Sequence, residues 1–157
     1  MADLTRTMTV PRSFITHRNK RAIAFNKDKT IDDKALMRAD CELYEYHMER
    51  ENLWEGSQHW SYDGVSDKYG KVDVKVIDKW WNLPIRKAWN VFRQQGIIDH
   101  FYFIEKIDWP DRPLKTGDTV KVGFIGVMTF NEVCSKIEVS KIPRYGYYVD
   151  VKKHSHH

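Results

Sequence analysis

The chain has 157 residues, long enough for one domain with its own hydrophobic core. An apolar fraction of 41%, with 13% aromatic residues, excludes general disorder, and no apolar run approaches the roughly 20 residues that a membrane-spanning helix needs. The net charge of +4 is compatible with a polyanionic partner without requiring one.

The cysteines indicate the compartment. Cys41 and Cys134 lie far apart and form no CxxC pair, which predicts buried, reduced thiols in a cytoplasmic protein. Residues 1–6 lack the apolar core of a secretion signal, in agreement with that location. No internal repeat or second domain is visible, so residues 1–157 are predicted to form a single domain. The His-rich tail at 153–157 is left out of metal arguments.

Residues 1–30 are basic and without a clear period. The segments 13–16 and 22–25 each have the composition of a short strand. We interpret the whole stretch as a basic N-terminal arm. Such an arm is either a solvated extension or a contact for nucleic-acid phosphates.

A long helix is predicted over residues 31–52. Thr30 is a suitable N-cap, and Asp32 and Asp33 place negative charge in the first turn, where the helix dipole favours it. Apolar residues recur at helical spacing and form the predicted buried stripe: Leu36, Ala39, Leu43 and Tyr46.

One glutamate of this predicted helix flanks its apolar stripe. Glu42 has Ala35, Ala39 and Tyr46 at i−7, i−3 and i+4, so it lies close to whatever the stripe packs against. Glu49 shares this edge one heptad later, and Glu45 lies further round the helix. An ordinary surface position remains the alternative for each.

Residues 56–77 predict a short strand followed by a β-hairpin. Residues 72–77 alternate strictly, which places Asp73 and Lys75 on one face of a strand. Residues 67–70 form a plausible turn in which Gly70 takes positive φ. Pairing Ser66 with Lys71 brings Asp63 opposite residues 73–74. The hairpin therefore gathers two carboxylates and one amine at one end.

A second helix is predicted after residue 82. The run Asn82-Leu83-Pro84 reads as a cap followed by a proline in the first turn, and Gly96 closes the helix. Its apolar stripe is Ile85, Ala88, Trp89 and Phe92. Basic and aromatic side chains on or near its exposed face are candidate nucleic-acid contacts: Lys79, Trp81, Arg86, Lys87 and Arg93.

The remaining elements are short. Alternation predicts strands over residues 97–107, 119–127 and 145–151. A capping box from Thr129 to Glu132 opens a short helix that ends near Glu138.

Asp63, nine intervening residues, and then Asp73-Val74-Lys75 resemble the signature of the PD-(D/E)XK nuclease superfamily. The predicted order over roughly residues 31–130, one helix, three strands, one helix and a further strand, is similar to the core of that superfamily. The chain departs from the pattern at Tyr62, where the family often has proline, and at Asp73, where glutamate is commoner. The run Asp99-His100-Phe101-Tyr102-Phe103 resembles an aromatic strand of small phage-type members.

The resemblance implies a fold class and an activity. The fold is α/β with a restriction-endonuclease-like core, a mixed central β-sheet flanked by helices. The activity is that of an endonuclease that hydrolyses DNA phosphodiester bonds with Mg²⁺ or Mn²⁺. Asp63, Asp73 and the carbonyl of Val74 would ligate the metal, and Lys75 would orient or help deprotonate the attacking water. The protein would work in the cytoplasm, that of the host if it is phage-encoded.

The resemblance also implies a glutamate from the first helix. Glu42 is the first choice for that role, and Glu45 and Glu49 are the alternatives. Symmetric cleavage of both strands of a duplex would call for a homodimer. Two other classes of function stay open: a nucleic-acid-binding module with the Asp–Lys hairpin as scaffold, and a protein-interaction domain that uses exposed tryptophans.

Overall fold

The structure, a computed structural model, describes residues 4–25, 31–57, 62–77, 82–85, 96–141 and 146–157. Within these ranges the helices are α1 (Arg12–Phe25), α2 (Asp33–Asp40), α3 (Leu43–Arg50), α4 (Phe130–Ser135) and α5 (Val151–His154). The strands are β1 (Arg6–Thr9), β2 (Trp54–Gly56), β3 (Gly64–Ser66), β4 (Gly70–Val76), β5 (Asn82–Pro84), β6 (His100–Ile107), β7 (Thr119–Met128), β8 (Glu138–Val139) and β9 (Tyr147–Asp150).

A mixed six-stranded sheet is the centre of the molecule. Its strand order is β1-β7-β6-β4-β3-β2, and β4 and β6 are parallel while every other neighbouring pair is antiparallel. A smaller antiparallel sheet has the order β5-β9-β8. The prediction of an α/β fold with a mixed central sheet and flanking helices is confirmed at this level.

Strand β6 lies between the two hydrophobic cores. Tyr102 and Ile104 belong to the first core, together with side chains of α1, α3 and β1. Phe101 and Phe103 belong to the second core, together with side chains of α4, α5 and β9. Since successive side chains of a strand point to opposite faces, β6 is buried on both sides. This burial explains the uninterrupted run of large apolar side chains from Phe101 to Ile104.

The prediction of an irregular basic arm over residues 1–30 is wrong in its described part. Strand β1 pairs with β7, and residues 13–16 and 22–25, expected as strands, lie in helix α1. Phe14, Arg18 and Ala22 are buried at i, i+4 and i+8, so they form the inner stripe of that helix. The periodicity of apolar residues in the sequence does not reveal this stripe, because its middle residue is an arginine.

Arg18 is buried because it is paired. Its guanidinium donates to the Asp40 carboxylate over 2.9 Å and to the Leu114 carbonyl over 3.2 Å. The other oxygen of Asp40 accepts the Leu114 N–H over 2.9 Å. This closed set of hydrogen bonds ties α1, the end of α2 and the loop before β7 together, with the charges satisfied inside the protein.

The predicted helix over residues 31–52 is two helices, which meet at residues 41–42. Ala35 and Ala39 of α2 pack against Ala22 of α1, whereas α3 packs onto the sheet through Leu43, Tyr44 and Met48. The break allows the two segments to face different neighbours. Asp32 caps α2 by accepting the Ala35 N–H over 2.8 Å, and the expected cap, Thr30, lies outside the described residues.

The hairpin of β3 and β4 forms with a register one residue from the expected one. Ser66 pairs with Gly70 instead of Lys71, because Tyr69 turns inward and is buried in the first core. Gly70 has the expected positive φ, 72°. Strand β2, expected over 56–60, ends at Gly56, and residues 58–61 lie outside the described residues.

The prediction of a helix cap at residues 82–84 is wrong. Asn82–Pro84 is strand β5 and pairs with β9 through Leu83 and Val149, both buried in the second core. The rest of the predicted second helix, residues 86–95, lies outside the described residues. The strands expected at 97–107, 119–127 and 145–151 are confirmed as β6, β7 and β9, with shifted ends, and the capping box of α4 is confirmed.

The end of the chain is docked on the sheet instead of forming a free tail. Lys153 and His154 complete α5, and His156 forms an antiparallel bridge with Val127 of β7. Gly126 leaves room for this approach, because a Cβ there would lie 2.8 Å from the Ser155 hydroxyl.

Two smaller expectations can be compared with the structure. Cys41 and Cys134 are both free, as predicted, but they are half-buried, not buried. Among the described residues, no helix has the length and apolar character to cross a membrane.

We expect Gly70→Ala to destabilise the protein more than Gly117→Ala. Both glycines have positive φ, which costs about 1–2 kcal/mol for an L-residue. A Cβ at Gly70 would in addition overlap the Asp99 carboxylate, which accepts the Lys71 N–H over 2.8 Å, whereas nothing lies within 4 Å of a Cβ at Gly117. Urea unfolding measures the difference, and equal losses of stability would contradict the role of Asp99.

Candidate active site at the β3–β4 hairpin

Asp63 is fixed to strand β4 by two hydrogen bonds. Its N–H donates to the Val72 carbonyl over 2.8 Å, and its Oδ2 accepts the Val74 N–H over 2.7 Å. Because Gly64 pairs with Val72, these bonds continue the ladder by one step and place Asp63 opposite Asp73. The sequence prediction put Asp63 opposite residues 73–74, so this juxtaposition is confirmed.

Asp73 and Lys75 leave β4 on the same face, as the alternation predicts. The Lys75 ammonium lies 3.1 Å from Asp73 Oδ2, and the side chains of Lys75 and Asp73 are 24% and 11% exposed, respectively. This contact has the distance of an ion pair but not hydrogen-bond geometry, since Asp73 Oδ2 is buried without a hydrogen-bond partner. Lys75 thus supplies the positive charge that faces Asp73 in this partly buried place.

Asp63 titrates far from its usual range. Burial above all, together with the negative charge of Asp73 and a side-chain hydrogen bond with Asp73, raises the pKa of Asp63 from 3.8 to about 7. The hydrogen bond from the Val74 N–H and the positive charge of Lys75 act in the opposite direction. Without a cation, Asp63 is therefore only partly ionised at neutral pH.

Glu45 of α3 belongs to the same electrostatic group. Burial of its carboxyl raises the pKa of Glu45 well above its ordinary value, and the charges of Asp63, Glu42 and Asp73 act in the same direction. Glu45 also lines the cavity beside Asp63. Of the glutamates considered from sequence, Glu45 is thus the one whose titration is coupled to both hairpin aspartates.

The other two glutamates have different surroundings. Glu42, the first choice from sequence, accepts from Nε of Arg21 with both carboxylate oxygens at 3.1 Å and lies 4.0 Å from His17. The Glu49 carboxylate packs against Gly56, where a Cβ would lie 2.5 Å from it. The break before Glu42 explains the difference, because the helical spacing that favoured Glu42 spans two helices.

A cavity of about 570 Å³ opens beside Asp63. Its described walls are residues of α1 and α3, Glu42 just before α3, Gly56 and Ser57 at the end of β2, and Tyr62 and Asp63. The residues that line it are His17, Arg21, Glu42, Glu45, Tyr46, Glu49, Gly56, Ser57, Tyr62 and Asp63. The cavity gives a solute a route to the Asp63 carboxyl.

The Val74 carbonyl lies on the same side of β4 as Asp63. Peptide groups of β4 alternate in direction: the Lys71 carbonyl and the Ile77 N–H bond toward β6, whereas the Val72 carbonyl and the Val74 N–H bond to Asp63. A strand residue directs its own N–H and C=O to the same side. The carbonyl oxygen of Val74 is thus directed past the start of β3, where Asp63 is.

These groups fit a hard divalent cation of the kind that the resemblance implies. Among the described residues, no three Asp, Glu, His or Cys side chains are grouped as a ready-made metal site. Mg²⁺ is commonly held by one or two carboxylates, with waters and substrate phosphates completing its shell. The raised pKa of Asp63 beside Asp73 is what two neighbouring carboxylates produce when one ammonium, that of Lys75, faces them.

Other predicted site residues cannot be placed. Lys79, Trp81, Arg86, Lys87 and Arg93 lie outside the described residues. Conversely, the sequence reading did not predict that His17 and Arg21 of α1 line the site. Their i, i+4 spacing was the available signal, but it carries weight only once residues 12–25 are known to be helical.

We expect the stability of the wild type, relative to Asp63→Asn, to fall as the pH rises from about 4 to about 7 in metal-free buffer. The unfolded chain releases the Asp63 proton near pH 3.8, whereas the folded protein keeps it until about pH 7. The folded state therefore binds more protons in this window, and raising the pH favours unfolding.

Urea unfolding at about pH 5 and about pH 8 measures this effect. Asp118→Asn is the matched control, because hydrogen bonds from Arg112 and the Lys115 N–H lower the pKa of Asp118 to about 2, below the window. Parallel pH profiles for the wild type and Asp63→Asn would contradict the raised pKa.

The comparisons with known proteins leave the family open. No family model, curated protein or solved structure matches this chain.

Proposed function

We propose that this protein is a metal-dependent nuclease that hydrolyses DNA phosphodiester bonds, built on a PD-(D/E)XK-type core. The observation that carries the proposal is the meeting of Asp63, Asp73 and Lys75 at one end of a hairpin, where the Lys75 ammonium lies 3.1 Å from a buried oxygen of Asp73. A cavity that reaches Asp63 gives a substrate access to this group.

The order of strands around the site supports the proposal. Helix α3 precedes the antiparallel strands β2, β3 and β4, and the chain then returns in β6, which is parallel to β4. The resemblance implies one helix, three strands, a second helix and one further strand; the first helix and the four strands agree with that order, and the expected second helix lies outside the described residues. The acidic residues stand where that arrangement needs them, before β3 and in the middle of β4.

Asp63, Asp73 and the Val74 carbonyl would hold the cation. A bound Mg²⁺ or Mn²⁺ supplies positive charge to the phosphoryl oxygens and lowers the pKa of a coordinated water. Asp63 contributes as a carboxylate once it has lost the proton that its raised pKa retains at neutral pH. The Val74 N–H keeps Asp63 oriented throughout.

Lys75 is placed to act on the attacking water. Its ammonium is held beside Asp73 and is 24% exposed, so it touches the site and still reaches solvent. From there it donates a hydrogen bond that orients the water and offsets the negative charge that develops on the phosphate. Glu45, across the cavity, is placed to accept the proton of that water.

DNA as substrate, a homodimer for cutting both strands of a duplex, and a cytoplasmic location remain part of this proposal. The meeting of two carboxylates and an ammonium in a partly buried place is the feature that favours catalysis over a purely binding role, because ionisable groups with strongly shifted pKa values cluster at functional sites.

We expect Asp73→Asn and Lys75→Met each to reduce Mg²⁺-dependent plasmid nicking by about 100-fold or more, because they remove a cation ligand and the group that orients the water. Gel assays with Mg²⁺, Mn²⁺ or EDTA measure the effect. Asp67→Asn, in the exposed turn of the same hairpin, is the control and should retain activity. Full nicking by both site variants would reject the assignment, and DNA binding without nicking by the wild type would favour a binding module.

We expect Glu45→Gln to reduce nicking by about 10-fold or more, and Glu42→Gln to have a smaller effect. Glu45 is coupled to Asp63 and Asp73, whereas Glu42 is held by Arg21. The pH profile of the rate separates a chemical role from a structural one, because loss of a proton acceptor alters its acidic limb. A greater loss for Glu42→Gln would restore Glu42 as the helix carboxylate.

A further inference from the structure

Strand β4 carries a second lysine on the face that holds the candidate site. Successive side chains of a strand point to opposite faces, and the pairing of β4 with β3 and β6 has a regular register. Lys71, Asp73 and Lys75 therefore share one face. Along the strand, Lys71 lies about 6.6 Å from Asp73 on the side of the hairpin turn, and Lys75 lies equally far on the other side.

The charge of Lys71 is not neutralised within the described part of the chain. The Lys75 ammonium faces Asp73 at 3.1 Å, whereas Lys71 forms no ion pair with any described carboxylate. The Lys71 Nζ lies instead 5.5 Å from the centre of the ring of Tyr62, the residue before Asp63. An aromatic ring attracts an ammonium but has no net charge that could cancel it.

Asp99 fixes the backbone of Lys71. The Lys71 N–H donates to the Asp99 carboxylate over 2.8 Å, and the Lys71 carbonyl accepts the Asp99 N–H over 2.8 Å. The Lys71 side chain is exposed, whereas those of Lys75 and Asp73 are 24% and 11% exposed. The open end of this face is therefore the end at Lys71, and the ammonium there extends from a rigid strand.

A free ammonium in this place is suited to a second phosphate of the substrate. A nucleic-acid strand carries one phosphate per step of about 3.4 Å along its axis, and amines bind these phosphates without regard to base. Consider a strand whose scissile phosphate lies at Asp73 and Lys75 and which follows β4 toward the hairpin turn. Its phosphate one or two nucleotides away then reaches Lys71.

We propose that Lys71 binds a non-scissile phosphate of the DNA, one or two nucleotides from the bond that is cut, and so aligns the strand with β4. This proposal rests on the proposed nuclease function and adds a binding residue to its site. Lys71 contributes affinity and register, whereas Lys75 contributes to the chemical step. The Tyr62 ring keeps the Lys71 ammonium near the site and leaves its charge available.

The first test measures DNA binding in EDTA, by fluorescence anisotropy of a short labelled duplex and of its single strand over a series of KCl concentrations. Lys71→Met keeps most of the apolar stem and removes the charge. We expect it to weaken binding by about threefold or more at low salt, and to lower the slope of log K against log salt by about 0.7–0.9, the contribution of one phosphate contact. Lys71→Arg should retain the wild-type slope, because it retains the charge.

Lys106→Met is the matched control. The Lys106 side chain is also exposed, and its ammonium lies 4.8 Å from the centre of the Trp109 ring. Lys106 alternates with Tyr102 and Ile104, however, so it lies on the opposite face of the sheet from Asp73. Its variant should bind DNA as the wild type does. Wild-type affinity and slope in Lys71→Met, or an equal loss in Lys106→Met, would overturn the proposal.

Kinetics separates this inference from the nuclease proposal. A contact made equally in the ground state and the transition state affects KM, so Lys71→Met should raise KM for plasmid nicking by about threefold or more with kcat retained, whereas Lys75→Met lowers kcat. Lys75-dependent nicking with wild-type KM in Lys71→Met would support the nuclease and reject the phosphate contact. A Lys71-dependent salt slope without nicking by the wild type would support the contact and reject the nuclease. Absence of both binding and nicking would overturn both.

Discussion

The hydrogen bond from the Val74 N–H to the Asp63 carboxylate is the interaction on which the site depends. At 2.7 Å it fixes Asp63 to the strand that carries Asp73 and Lys75. Two acidic groups are thereby held together in a poorly solvated place, and the raised pKa of Asp63 is the physical consequence. This pair of carboxylates, with the Lys75 ammonium 3.1 Å from Asp73, is the arrangement on which the proposed nuclease function rests.

The surrounding fold keeps Asp63, Asp73 and Lys75 in position. Strand β6, buried on both faces, supports β4 through a parallel ladder from Val72 to Val76. Gly70 allows the hairpin to turn while Asp99 approaches its backbone. The buried Arg18–Asp40 pair fixes α1 against α2 and the loop before β7, and α1 and α3 together form the walls of the cavity. The site is thus a cleft between rigid elements.

The periodic features of the sequence predicted much of this architecture. Strict alternation identified β4 and the shared face of Asp73 and Lys75, because a period of two has no other structural solution. The Asp63–Asp73 juxtaposition followed from a turn at Gly70, and it tolerated a register error of one residue. The capping box of α4 could also be predicted, because the interaction between Thr129 and Glu132 is local in the sequence.

Non-local contacts decided the rest. Helix α1 was hidden because its inner stripe contains Arg18, whose burial is explained only by Asp40, 22 residues away. The break between α2 and α3 depends on their packing against different neighbours. Because of this break, the helix glutamate whose pKa is raised by the charges of Asp63 and Asp73 is Glu45, and not Glu42 as the helical spacing had suggested. The sequence by itself determined which chemical groups the hairpin carries. Only the tertiary structure decided which helices face them, since that depends on packing between segments distant in the chain.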